Sequence, residues 1–546
     1  MDLISESSVL GLLLNKPAVQ KLKNIIFLYF VVKVAAASFK KIKLYGLQGA
    51  VSLYIGSITQ SIIKLARKTV PGADAAVQKE VAKSVASIHK GMCLEIPDCP
   101  KFPTLPKSGL ETKQIIKLLD QHANFGEVDW KDGKVSGAVY HGGNELSSLI
   151  NSAYGKFTVS NPLHPEVFPG VRKMESEIVS MVLAMYNGSE KTGHCGSMTS
   201  GGSESIMMSM KAHRDWAFDV KGITEPEIVV PVSVHAAFDK GAQYFGIKII
   251  HIPVDPKTGK VVIEKVARAI NGNTIMLAGS TPSFPHGAID DIPALAELAL
   301  KHNIGLHVDS CLGGFLVPFM EDAGYKLPFH TDFRVKGVTA ISCDTHKYGF
   351  APKGSSVVMY NSTSLRKYQY FVQPNWPGGV YGSPTMAGSR PGALSAGCWA
   401  SLVYFGWNGY VESTRTIIKT ARAIKSGIQG IPELEVVGDP LLSVVAFSAK
   451  APMKTYAVAD LLSKKHYHLN VLQFPPSIHI ACTMLTPQLV DTLIKDLRDI
   501  VELLKRDPEA GNGEVAAIYG TAASVPDRTI IGDVVCGFLD GLTKSV

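Results

Sequence analysis

Apolar and polar positions divide the chain into three stretches. The first holds a run from Ile25 to Ala37, Ile-Ile-Phe-Leu-Tyr-Phe-Val-Val-Lys-Val-Ala-Ala-Ala, with Lys21 and Lys23 before it and Lys40, Lys41 and Lys43 after it. A membrane-crossing helix needs about 20 apolar residues; Lys33 interrupts this run, although a lysine near the interface can snorkel. Two readings stay open: a span over roughly 22–39, or a buried or interfacial amphipathic helix. A second apolar stretch, Leu47 to Leu65, is richer in Gly, Ser and Gln and reads as interfacial. Pro97, Pro100, Pro103 and Pro106 then mark a linker.

From about Val171 the pattern changes to short β-rich runs alternating with helix-length segments. The runs are Ile228–Val232, Lys248–Val254, Thr274–Ala278, Gly305–Val308 and Thr339–Cys343, and between them lie segments such as 204–220, 261–270 and 292–302. Nearly continuous apolar strands separated by helices predict an α/β fold whose parallel or mixed sheet is covered on both faces. Beyond Arg390 a long helix (about 394–427), strands over 442–448 and 478–484 and a last helix over 487–505 predict a smaller α+β domain.

Composition narrows the class. With 46% hydrophobic and 19% charged residues in 546, bulk disorder is excluded. A mean hydropathy of +0.14 hints that part of the chain lies at a membrane. The net charge of +8 is mild for this length; it makes no case for nucleic acid and suits anionic ligands or a membrane surface. The eight cysteines form no C-x-x-C pair and no zinc cassette, so no metal site is read, and their scatter among apolar residues fits a reducing compartment.

The familiar nucleotide, zinc-protease and serine-hydrolase motifs are missing from the sequence. Four weaker signals remain. Met198-Thr-Ser-Gly-Gly-Ser-Glu204 ends a strand-like run and opens a helix, where glycine amides and the helix dipole suit an anion, though a plain helix cap explains it equally well. Asp309 stands at the tip of an apolar strand, where open α/β sheets place ligands; alone it is an ordinary turn aspartate. Lys347, in Asp344-Thr-His-Lys347, leaves another apolar strand and is a Schiff-base candidate or simply a lysine turning out to solvent. His235 opens a helix-like stretch and could stack on an aromatic ring or merely be solvated. Taken in order, glycine turn, His235, Asp309 and Lys347 match pyridoxal 5′-phosphate enzymes of the aspartate aminotransferase fold, in which the lysine forms the aldimine and the aspartate keeps the pyridinium nitrogen protonated.

Longer strings sharpen the resemblance. Asn161-Pro-Leu-His-Pro165, Thr199-Ser-Gly-Gly-Ser-Glu-Ser205, His235-Ala-Ala-Phe238, His307-Val-Asp-Ser-Cys-Leu-Gly-Gly-Phe315, Asp344-Thr-His-Lys-Tyr-Gly-Phe-Ala-Pro-Lys-Gly-Ser355 and Gly379-Val-Tyr-Gly-Ser-Pro-Thr-Met-Ala-Gly-Ser-Arg-Pro391 resemble the sphingosine-1-phosphate lyase family. The likeness runs from about Gly137 to the C-terminus; Ser203 replaces a threonine common in the family, which leaves a hydroxyl in place. The resemblance implies a fold type I enzyme dependent on pyridoxal 5′-phosphate that cleaves phosphorylated long-chain sphingoid bases to a fatty aldehyde and phosphoethanolamine. Lys347 would form the internal aldimine, Asp309 would pair the pyridinium nitrogen, His235 would stack on the ring, and Gly202, Ser203 and His346 would bind the cofactor phosphate. Lys353 and His164 would contact the substrate phosphate, and Tyr140 and Tyr381 would point at the reacting centre together with His164.

The same resemblance implies a homodimer with shared active sites. It also implies an N-terminal membrane-anchor helix crossing the endoplasmic reticulum membrane once, with the catalytic domain facing the cytosol. The expected division is 1–60 anchor and flanks, 61–136 linker and dimer-arm segment, 137–390 large cofactor-binding domain and 391–546 small C-terminal domain. An amino-acid decarboxylase of the glutamate or aromatic type shares the fold and the His-Lys pair and is the alternative. A catalytically dead membrane scaffold sits poorly with Lys347, Asp309 and His235 all present.

Overall fold

The structure, a computed structural model, describes residues 17–126, 128–511, 513 and 528–544. Residues 1–16 of the expected anchor segment therefore lie outside the described residues. The chain divides into two compact units, Met1–Glu95 with Val525–Val546, and Ile96–Ser524. The boundaries expected at 136/137 and 390/391 both fall inside the second unit.

In the first unit the apolar N-terminal stretch lies on a helix assigned from Pro17 to Thr69 that is broken at Gly46, whose φ of 73° is left-handed. Ser38 Oγ lies 2.8 Å from Tyr54 OH. Sixteen residues of straight helix would separate them by about 24 Å, so the two arms fold back on each other at the glycine. Among the described residues no helix is long and apolar enough to cross a membrane, so the expected single-pass anchor is not shown. Lys33 supplies part of the physical reason, because it interrupts the apolar run, and its ammonium sits over the Tyr29 ring. Helices Ala73–Met92 and Arg528–Gly541 pair within the same unit, with His89 Nε2 2.8 Å from the Gly537 carbonyl oxygen.

The second unit is built on a seven-stranded sheet. Its strands are β1 (Cys195–Thr199), β2 (Glu227–Pro231), β3 (Lys248–Ile252), β4 (Thr274–Ser280), β5 (Gly305–Asp309), β6 (Ala340–Cys343) and β7 (Ser356–Tyr360). The spatial order is β1-β7-β6-β5-β4-β2-β3. Pairing is parallel from β6 through β3, while β7 runs antiparallel to both of its neighbours, so of the parallel and mixed sheets that the apolar runs allow this one is mixed and mostly parallel. Strands β2, β4, β5 and β6 are buried along their whole length, the signature of a sheet covered on both faces. Ile206 and Met210 from helix Gly202–Lys221 and Phe238 from helix Ala237–Phe245 pack onto Ile228, Val230, Met276 and Ala278 of the sheet.

Two further strand pairs follow. Strands β8 (Phe371–Trp376) and β9 (Gly379–Ser383) form a separate antiparallel hairpin whose first strand is exposed throughout. Beyond the long helix Gly392–Gln429, strands β10 (Leu434–Val436), β11 (Val444–Ala449), β12 (Asn470–Leu472) and β13 (Ser477–Ala481) make an antiparallel sheet in the order β10-β11-β13-β12. Helices Thr455–Lys464 and Val490–Arg506 complete the α+β portion expected at the C-terminal end.

Candidate active site

Strands β1, β2, β4, β5 and β6 point the same way, so their carboxyl ends share one edge of the sheet. Ligands bind at that edge in open α/β sheets. A cavity of about 360 Å³ opens there, lined by Ser200, Gly202, Ser203, His235, Cys311, Asp344, His346 and Lys347 among others.

One wall is the start of helix Gly202–Lys221, whose first amides and dipole face the cavity. Glu204 holds the approach to it: its carboxylate accepts from the Ser200 amide at 2.6 Å and from the Met386 amide at 2.9 Å. Only glycine fits at 202, because a Cβ there would lie 2.7 Å from Cys311 Sγ and 2.9 Å from both Asp344 carboxylate oxygens. Across the cavity the His235 ring accepts the Ala237 amide at Nδ1 (3.1 Å), which leaves Nε2 to carry the proton.

Asp309 ends β5. Its Oδ1 accepts from the Cys311 amide at 3.0 Å and from Ser342 Oγ at 3.3 Å. Because Ser342 donates to the carboxylate, it receives the Nε2 proton of buried His307 (3.0 Å), and His307 Nδ1 in turn accepts from Ser209 Oγ (2.8 Å). Burial lowers the His307 pKa to about 4, so the ring is neutral and this chain of hydrogen bonds carries no competing charge to Asp309.

Lys347 follows β6. Its Nζ lies 3.0 Å from Asp344 Oδ2, and Asp344 is itself 2% exposed. Burial alone would favour the neutral lysine and the neutral acid, but each charge holds the other: the Lys347 pKa is raised overall and that of Asp344 is lowered. His346 Nδ1 accepts the Gly354 and Ser355 amides (3.3 and 3.2 Å), so its Nε2 proton faces Asp344 Oδ2 at 3.5 Å.

Tyr140 and Lys353 meet beside this pair. The Lys353 ammonium sits 4.7 Å from the centre of the Tyr140 ring and donates to the His346 carbonyl at 3.3 Å. Desolvation of its inner side, then the Lys347 ammonium, lowers the Lys353 pKa. Burial pushes the Tyr140 phenol up to about 12 against the opposing pull of Lys347.

The remaining two expected residues stand elsewhere. His164, with a half-exposed side chain, lies 3.7 Å from Glu166, and Tyr381 on β9 packs against Phe371 and Trp376 of β8. Neither lines the cavity described above. Within one chain the structure thus gathers Lys347, His346, His235, Gly202 and Ser203 around the cavity, with Asp309, Tyr140 and Lys353 at its margins, and leaves His164 and Tyr381 outside.

The residues present fit pyridoxal 5′-phosphate on the structure's own terms. A helix start stripped of a Cβ suits the phosphate, a lysine amine reaches the cavity, and an imidazole forms a side wall. The Asp309 oxygen that receives no hydrogen bond from the described residues suits a protonated ring nitrogen.

Comparison with known proteins agrees. Residues 101–450 match the pyridoxal-dependent decarboxylase conserved domain. The sphingosine-1-phosphate lyase of Saccharomyces cerevisiae is 47% identical over 541 residues, 98% of this chain and 91% of the yeast protein. The chain belongs to the sphingosine-1-phosphate lyase family. Sphingosine-1-phosphate lyase 1 of Rattus norvegicus is also 47% identical, over 88% of this chain and 84% of its own. The solved sphingosine-1-phosphate lyase of Burkholderia pseudomallei superposes with a TM-score of 0.73 at 36% identity, covering 78% of this chain and 97% of that one. A glutamate decarboxylase of Lactobacillus brevis, at 20% identity and a TM-score of 0.64, shares the fold alone. Within the lyase family, pyridoxal 5′-phosphate is the cofactor that the cavity is built to hold.

Asp344, Glu204, Ser342 and His307 have no role among the expectations from the sequence. For Asp344 a usable signal existed: an acid three residues before a candidate Schiff-base lysine at a strand end. The other three are ordinary residues in strands and helices, and only the fold brings them to the site.

Proposed function

We propose that this chain is a sphingosine-1-phosphate lyase, cleaving the C2–C3 bond of phosphorylated long-chain sphingoid bases in retro-aldol fashion to a fatty aldehyde and phosphoethanolamine. The observation that carries the reading is the 47% identity to the yeast lyase along nearly the whole chain. Bound pyridoxal 5′-phosphate supplies an electron sink for the breaking bond. Ser203, the first amides of helix Gly202–Lys221 and His346 would hold its phosphate, His235 its ring face, Asp309 its ring nitrogen and Lys347 its aldehyde carbon.

The remaining work falls to the chain's own groups. Lys353 would offer a cation to the substrate phosphate, and that grip would orient the substrate for cleavage of its C2–C3 bond. Tyr140, its pKa pushed up to about 12 by burial, is a phenol at neutral pH and so suits a hydrogen-bond donor rather than a base. Removal of the C3 hydroxyl proton then falls to His164, Tyr381 or the substrate phosphate. The amino-acid decarboxylase alternative is not favoured, since the solved glutamate decarboxylase of Lactobacillus brevis resembles the chain in fold alone.

The protein acts as a homodimer whose partner subunit completes the substrate end. Supporting this is the β8–β9 hairpin, which exposes Phe371, Val372, Trp376 and Val380 beside Tyr381. The chain attaches to the endoplasmic reticulum membrane through its N-terminal apolar segment, with the catalytic unit on the cytosolic side. Supporting this are the exposed Ile25, Phe27, Leu28, Val32 and Phe39 between flanking lysines.

The test is incubation of purified, cofactor-loaded protein with a phosphorylated sphingoid base. Both products should form, and Lys347→Ala should reduce their formation by at least about 10³-fold, as loss of a covalent-catalysis residue does. Absence of both products from a fully loaded protein would refute the assignment.

A further inference from the structure

Asp344 is a carboxylate buried to 2% exposure at the floor of the cavity, where an uncompensated charge is costly. Two cations or proton donors answer it on one side. Lys347 Nζ lies 3.0 Å and His346 Nε2 3.5 Å from Oδ2, and Oδ1 has no hydrogen-bond partner among the described residues. The His346 donor is fixed from behind, because the Gly354 and Ser355 amides occupy its Nδ1. The missing side chain of Gly202 leaves room beside both carboxylate oxygens, which a Cβ at that position would approach to 2.9 Å. A purely structural ion pair would not be expected to engage the amine that must join the cofactor.

We propose that Asp344 is a positioning residue that serves as the resting partner of Lys347. It holds Nζ as a cation aimed into the cavity whenever that amine is not joined to the cofactor, and it favours the protonated form of the cofactor–lysine linkage when it is. The other titratable groups facing the pair are Tyr140, Cys311, Cys343, His346 and Lys353, with Asp309 behind Cys311. Of the carboxylates, Asp344 is the one that touches Nζ. The proposal rests on Lys347 being the cofactor lysine; borohydride trapping of the cofactor on Lys347 tests that premise separately, so the two can fail independently.

In cofactor-free protein, competitive acylation of lysines across a pH series, read peptide by peptide, reports how readily Lys347 loses its proton. In Asp344→Asn, Lys347 should react at least about tenfold faster near pH 8, equivalent to one or more units of lost proton affinity. In loaded protein, the protonated visible band of the cofactor–lysine linkage should bleach at lower pH in Asp344→Asn than in the native chain. Identical labelling and identical bleaching in both proteins would overturn the proposal. If Asp344→Asn does not fold, the native protein decides alone. The apparent proton affinity of Lys347 should lie above the ordinary lysine value of about 10.4, and a value below it, as burial without a partner gives, would overturn the proposal.

Discussion

The two ends of the candidate site are built differently. At the cofactor end every expected residue sits on or beside a buried strand tip, and its hydrogen-bonding capacity is directed by neighbours in the same chain. Asp309 is held by Cys311 and Ser342, His235 by Ala237, and His346 by Gly354 and Ser355. At the substrate end His164 is half-exposed beside Glu166, and Tyr381 rides on a hairpin that exposes large apolar side chains. Groups held by a packed sheet keep their geometry without a ligand, whereas groups on an exposed loop or hairpin need something to pack against. The difference explains how one chain can present a finished cradle for a cofactor and yet leave His164 and Tyr381, two of the residues expected at the substrate, outside it.

The sharpest way to break this comparison is to mix two inactive chains. If His164 serves the site of the partner subunit, co-expressed Lys347→Ala and His164→Ala chains should regain about a quarter of native activity, because half of randomly paired dimers hold one intact site of two. Activity that stays at the level of the separate variants, with mixed dimers confirmed by mass, would place His164 in the site of its own chain.

A smaller effect is expected at the cofactor end itself. Gly202→Ala puts a methyl group within 3 Å of Cys311 and Asp344 and must displace the helix start. Misplacement of this order should weaken cofactor retention on the order of tenfold to a hundredfold. Equilibrium dialysis checks it, and unchanged retention would mean that the helix start is not the phosphate wall.

The smallest effect concerns the network beneath Asp309. Burial lowers His213 and His307 to about 4 from an unfolded value near 6.5, so each is neutral when folded. Between those values the unfolded chain binds more protons, and stability present above pH 6.5 is lost as pH falls toward 4. At pH 5 the loss is on the order of 2 kcal/mol for each histidine. Denaturant midpoints at pH 7.5 and pH 5 should differ accordingly, and His307→Gln should narrow the gap.

Much of the cofactor end was legible because its signals are local. Apolar runs ending in Asp309 and in Asp344-Thr-His-Lys347 announce strand tips, and Gly201-Gly202 announces a tight entry to a helix. The helix expected at 394–427 and the strands expected at 442–448 and 478–484 fall where Gly392–Gln429, β11 and β13 stand. What escaped depends on tertiary placement. Strand β7 enters antiparallel between β1 and β6, and no periodicity records an insertion of that kind. The fold-back at Gly46 turns on a single left-handed glycine inside an otherwise helical run. The pairing of Asp344 with Lys347 was visible only as spacing, since burial and the opening left by Gly202 decide what the spacing means.

The most direct measurement of the central claim is a product balance on the loaded enzyme given a phosphorylated sphingoid base, with carbon dioxide release from amino acids followed in parallel. The account predicts fatty aldehyde and phosphoethanolamine in equal amounts and no carbon dioxide. Carbon dioxide release without aldehyde would contradict it and assign the site to decarboxylation.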